Sequence, residues 1–105
     1  MHKKMTYHKI SIPKKQIADF CRKNRVRRLS LYGSILRDDF APDSDVDMIV
    51  EFEPKQTPSL FKMAGMEIEL TKMIGRKVDL RTPAELSRHF KNVVLKEAKT
   101  QYVAA

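Results

Sequence analysis

Apolar residues recur along the chain in two rhythms, helical and alternating. Ile17, Phe20 and Cys21 fall at helical spacing after Pro13, which predicts an amphipathic helix with Pro13 at its first position and an end near Asn24. Arg27 to Tyr32 predicts a strand that Gly33 breaks, with Ser34 to Arg37 opening a short helix before a loop, Asp38 to Ser44, that carries Pro42. Val46, Met48, Val50 and Phe52 alternate strictly, as expected of a second strand with that face in the core. Pro54 and Pro58 bracket a turn. From Ser59, the series Leu60, Met63, Met66 or Glu67, Leu70 and Ile74 predicts a helix stopped by Gly75, its methionines filling core space. Lys77 to Leu80 predicts a third short strand. Thr82-Pro83-Ala84-Glu85 has the form of a capping box, so a helix is expected to open there and to continue through Leu86, Phe90, Val93 or Val94, Glu97 and Tyr102. The alternation of helices and strands, without internal repeat, predicts an α+β protein.

Composition sets the scale. A chain of 105 residues with 42% hydrophobic content suits one domain over residues 1–105, with a core that needs neither disulfide nor structural metal. The single cysteine, Cys21, has no partner at zinc-ligand spacing and reads as a small core residue. No run approaches the roughly 18 apolar residues of a membrane span, and MHKKMTYHK lacks the apolar core of a signal peptide, so a cytoplasmic location is expected. The three histidines, His2, His8 and His89, have no spacing to a nucleophile or metal partner and are expected at the surface or in packing.

Charge adds a contrast. The 21 Lys and Arg against 13 Asp and Glu give +8, which favours anionic partners. The basic clusters are scattered and lack an aromatic stacking platform, which disfavours direct nucleic-acid binding. The acids, however, crowd one segment: Asp38, Asp39, Asp43, Asp45, Asp47, Glu51 and Glu53.

Within that segment Asp45 and Asp47 share a strand face opposite Val46 and Met48. Two unpaired carboxylates there repel, and strands disfavour aspartate, whereas a hard divalent cation removes the repulsion. Mg²⁺ takes a few carboxylate oxygens and completes its octahedron with water and phosphate, which suits an open rim. Gly33 lets the backbone turn sharply, and Ser34 offers a hydroxyl and an amide where a phosphate is favoured. Asp79, in the apolar pattern of the third strand, either completes a triad across the sheet or pairs with Arg81. There is no G-x-x-x-x-G-K-[ST] sequence, which argues against P-loop hydrolysis.

The combination Gly33-Ser34, ten residues, Asp45-Val46-Asp47 and a later Asp79 resembles the nucleotidyltransferase superfamily of polymerase β-like fold, in its minimal nucleotidyltransferase (MNT) branch. The likeness covers "GSILRDDFAPDSDVDMIVEF", "GRKVDLRTPAEL" and the C-terminal "LKEAKTQY". It implies a short mixed β-sheet flanked by helices, a two-metal Mg²⁺ site on Asp45, Asp47 and Asp79, and a triphosphate held by Gly33, Ser34 and Arg37. Asp79 would assist the nucleophile. One departure is Asp38-Asp39, where relatives often carry Gly after the Arg. In that branch the enzyme pairs with a HEPN-domain ribonuclease toxin and transfers AMP from ATP to a tyrosine hydroxyl of it. The resemblance therefore implies an adenylylating antitoxin in a hetero-oligomer, with the acceptor supplied by the partner. The alternative is a non-catalytic binding partner that covers the toxin. Tyr102 and Val103 fit either partner contacts or core.

Overall fold

The computed structural model describes residues 4–8 and 10–105, and its centre is a four-stranded mixed sheet. The central pair is β3 (Val26–Tyr32) and β4 (Val46–Phe52), antiparallel, with Leu29 opposite Val50 and Leu31 opposite Met48. On the far side of β4 lies β5 (Val78–Arg81), parallel to it, and on the far side of β3 lies β6 (Lys99–Val103), antiparallel. Before these come two strands that the apolar pattern did not single out, β1 (Lys4–Tyr7) and β2 (Ile10–Pro13), which form an antiparallel hairpin of their own. The legible trace of β2 is Ile10-Ser11-Ile12, whose two isoleucines are buried.

One sheet face carries the main core. Leu29, Leu31, Met48, Val50, Val78 and Leu80 meet Ile17, Phe20 and Cys21 of α1 (Lys14–Lys23) and Met66, Leu70 and Ile74 of α2 (Leu60–Ile74). Pro13 caps α1 rather than occupying its first position, and Asn24 closes it, its side-chain amide donating to the Phe20 carbonyl at 2.8 Å. Burial pushes the Cys21 thiol up to about 12, which makes it an inert core residue. Helix α2 carries the parallel crossover from β4 to β5. Ser59 caps it through its hydroxyl, which accepts from the Lys62 N–H at 3.2 Å, and Gly75 ends it in the left-handed region at φ 82°.

The C-terminal region differs from its sequence expectation. The capping-box segment makes one short 3-10 turn (Pro83–Glu85), in which the Glu85 carboxylate accepts from the Thr82 N–H at 3.1 Å. Leu86 then takes extended dihedrals, and its side chain packs on a second apolar cluster formed by Tyr32, Ile49 and Val94. Helix α3 (Arg88–Glu97) therefore starts afresh from Ser87 and covers the other sheet face through Val94. After Ala98 the chain leaves the helix to pair with the open edge of β3, so Tyr102 sits on a strand, half-buried against the main core, and Val103 is exposed. The free hydrogen-bonding edge of β3 overrides the helical spacing.

Candidate active site

The second sheet face carries the carboxylates. Register places Tyr32, Asp47 and Asp79 in one row across β3, β4 and β5, at strand spacings of about 4.8 Å. Asp45 stands on the same face just ahead of β4, where the Val46 N–H donates to the Lys77 carbonyl at 2.8 Å and ties that end to β5. The three predicted aspartates thus converge on one end of the sheet.

Gly33 follows Tyr32 and turns the chain over this row. Its φ is +78°, and a Cβ there would stand 2.7 Å from an Asp47 carboxylate oxygen. The backbone conformation therefore favours glycine, and any larger residue would also press on the Asp47 carboxylate. Ser34 lies in a single 3-10 turn (Gly33–Leu36), a short helix as expected but starting one residue earlier, and its carbonyl accepts the Arg37 N–H at 2.9 Å. Arg37 is exposed and lies 3.3 Å from Asp39, one of the two unexpected acids after it.

The electrostatics record the crowding. Burial raises the Asp47 carboxyl above its usual range, with the negative charges of Asp79 and Asp45 adding to the shift and Arg81 and Arg37 opposing it. Burial, and then Asp47, push the Tyr32 phenol up to about 12, so it stays neutral. Asp79 takes a two-pronged contact from Arg81, Nη2 to Oδ2 at 3.2 Å and Nε to Oδ1 at 3.5 Å, as one of the two sequence readings anticipates. Lys77 Nζ lies 4.0 Å from Asp45 Oδ2. Among the described residues no three His, Cys, Asp or Glu side chains stand close enough to share an ion. The donor set nevertheless suits a hard cation, since it offers carboxylate oxygens alone and Asp47 is already repelled by both neighbours.

Supporting residues escaped the sequence reading. On β5 the Val78 and Leu80 N–H groups point to α2, where Thr71 Oγ1 accepts at 3.0 Å and Glu67 Oε2 at 2.7 Å, holding Asp79 between them. A polar Glu67 at a core-facing helix position is the available signal. Arg76 donates to the Ser44 and Ala41 carbonyls at 2.6 and 3.2 Å and stacks on Phe40, setting the loop that delivers Asp45. No local pattern marks it.

The profile of the nucleotidyltransferase domain family matches residues 13–101, which takes in β3, β4, β5, the start of β6 and the three aspartates. The chain belongs to the nucleotidyltransferase domain family. This nucleotidyltransferase is 38% identical over 72 residues to the protein adenylyltransferase MntA of Thermococcus cleftensis, covering 69% of this chain and 71% of that one. Its fold is shared with a toxin–antitoxin crystal structure containing AMP-PNP, at a TM-score of 0.70 and 19% identity over 89% of this chain and 75% of the other. It is shared also with the complex of a tri-AMPylated HEPN toxin and its MNT antitoxin from Shewanella oneidensis, at 0.63 and 19% over 87% and 70%. The expected mixed sheet and minimal nucleotidyltransferase fold are thus present. Among the described residues no helix is long and apolar enough to cross a membrane.

Proposed function

We propose that this nucleotidyltransferase is a cytoplasmic antitoxin that transfers AMP from ATP to a tyrosine hydroxyl of a HEPN-type ribonuclease toxin. The observation that carries the reading is the Gly33 turn, whose φ of +78° brings its backbone up against the Asp47 carboxylate, because it sets the Gly33-Ser34 backbone beside the carboxylate row. The names of the archaeal relative and of the HEPN–MNT complex support the acceptor class.

In this reading Gly33 and Ser34 present backbone and hydroxyl donors to the triphosphate, and Arg37 adds positive charge at its edge. Asp45, Asp47 and Asp79 would hold Mg²⁺, which when bound offsets charge on the triphosphate and its pyrophosphate leaving group. Asp79 accepts the tyrosine proton as the phenolic oxygen bonds to the α-phosphorus and the bond to pyrophosphate breaks. Arg81 has to release Asp79 for that step. A second reading, steric neutralisation without chemistry, draws on the pairing of Asp79 with Arg81 and of Asp45 with Lys77.

Co-expression with a HEPN partner encoded beside the gene, followed by intact-mass measurement, separates the two. The enzyme reading expects the partner to gain one or more AMP units with the wild-type protein and none with Asp45→Asn/Asp47→Asn, which also fails to protect cells. Protection by that variant, with a partner of unchanged mass, would leave only the steric role.

A further inference from the structure

Lys77, Asp79 and Arg81 alternate with the buried Val78 and Leu80, so β5 shows a positive, a negative and a positive side chain on the carboxylate face. Arg81 folds back toward Asp79. Its guanidinium turns back along the strand and covers both oxygens of Asp79, at 3.2 and 3.5 Å, although the arginine side chain remains 49% accessible. An exposed pair two residues apart gains little by itself and loses rotamer freedom. The neighbouring carboxylates favour it, first through the hydrogen bond and charge of Asp79 and then through the charge of Asp47. Both Asp79 oxygens are thereby engaged. Lys77 approaches Asp45 in the same sense but more loosely, at 4.0 Å.

We propose that Arg81 is a placeholder for the divalent cation: in the nucleotide-free enzyme its guanidinium neutralises Asp79 and competes with metal for the same two oxygens. The inference rests on reading Asp45, Asp47 and Asp79 as a metal site. Arg81 is then a positioning residue that acts through Asp79, and it explains how three carboxylates persist side by side before substrate arrives. It also makes the empty enzyme a weaker metal binder than its donor set alone would be, so that the cation enters by exchange with a protein charge.

Calorimetric titration of Mn²⁺ into nucleotide-free protein tests this. Arg81→Gln removes the competing charge, and its Mn²⁺ affinity is expected to rise about tenfold, the scale of one unit charge near 4 Å at a partly solvated site. Arg81→Lys keeps the charge and should stay within about twofold of wild type on the same scale. A merely structural Arg81 would instead loosen β5 and weaken binding in the Gln variant. Equal or weaker affinity in Arg81→Gln, with binding still abolished by Asp47→Asn, overturns the placeholder role and leaves the metal site standing. A gain of equal size in Arg81→Lys also overturns it, because the charge is retained there. Absence of Mn²⁺ binding in both wild type and Arg81→Gln overturns the metal site as well.

Discussion

Asp47 carries a conflict within the site, since it is pushed toward the neutral form by burial and then by Asp79 and Asp45. Its folded-state pKa lies above its unfolded one, so the folded chain holds that proton more tightly. The ionised group therefore costs stability progressively as pH rises from the ordinary carboxylate range through the raised value, and the cost is absent below both. Asp47→Asn keeps the shape and removes the charge. Without metal or nucleotide it is predicted to melt higher than wild type near neutral pH, with the gap closing as pH falls from the raised Asp47 value to the ordinary aspartate range. Melts followed by circular dichroism across that range check it, and a gap independent of pH would assign the effect to something other than ionisation. At this scale the sequence was informative where a residue type was costly in its local context: Asp45 and Asp47 beside a strand, Asp79 inside an apolar one, Gly33 at its end. It was silent on Arg76, whose type is ordinary where it stands, and gave for Glu67 only a polar residue at a core-facing position without its role, since their partners lie 32 and 13 residues away in the chain.

Among the elements, β5 is the one whose placement matters most to the site and which has least support of its own, being four residues long at a sheet edge. Helix α2 compensates by lending acceptors to its outward N–H groups, and Glu67 supplies the shorter of these bonds, 2.7 Å to Leu80. Glu67→Ala leaves that amide without its partner, an expected loss of about 1–3 kcal/mol. Urea denaturation measures the loss, hydrogen exchange should quicken at Leu80, and Glu67→Gln, which keeps an acceptor, should recover most of it. A substitution without effect on either would mean that water replaces the carboxylate and that β5 is held by β4 alone. The elements themselves were legible wherever a periodic run stood between recognisable ends, as for α1, α2 and β4. The sequence misassigned Tyr102 because its spacing continued the helical series, while Thr100, Tyr102 and Val103 had the residue types of a strand. The open edge of β3 resolves that ambiguity.

For the whole molecule, the fold brings the Gly33 turn and a carboxylate row to one end of the sheet, so ligand binding should stabilise the native state as a unit. Mg²⁺-ATP at about 100 times its Kd should add about 2.7 kcal/mol, an increment visible in thermal melts. Asp45→Asn/Asp47→Asn should lose it while still folding, and an equal nucleotide shift in both proteins would place the ligand elsewhere. The sequence by itself determined the order and kind of most elements, because periodicity is a property of neighbours three, four or two positions apart. It also determined the chemistry available, because carboxylates set into an apolar strand pattern declare themselves through their cost. Only the tertiary structure decided the register that sets Asp47 beside both Tyr32 and Asp79, the capture of the C-terminal segment by β3, and the folding of Arg81 back onto Asp79. These depend on hydrogen-bonding edges and charges that meet only once distant segments of the chain are packed side by side, and no local spacing encodes such meetings.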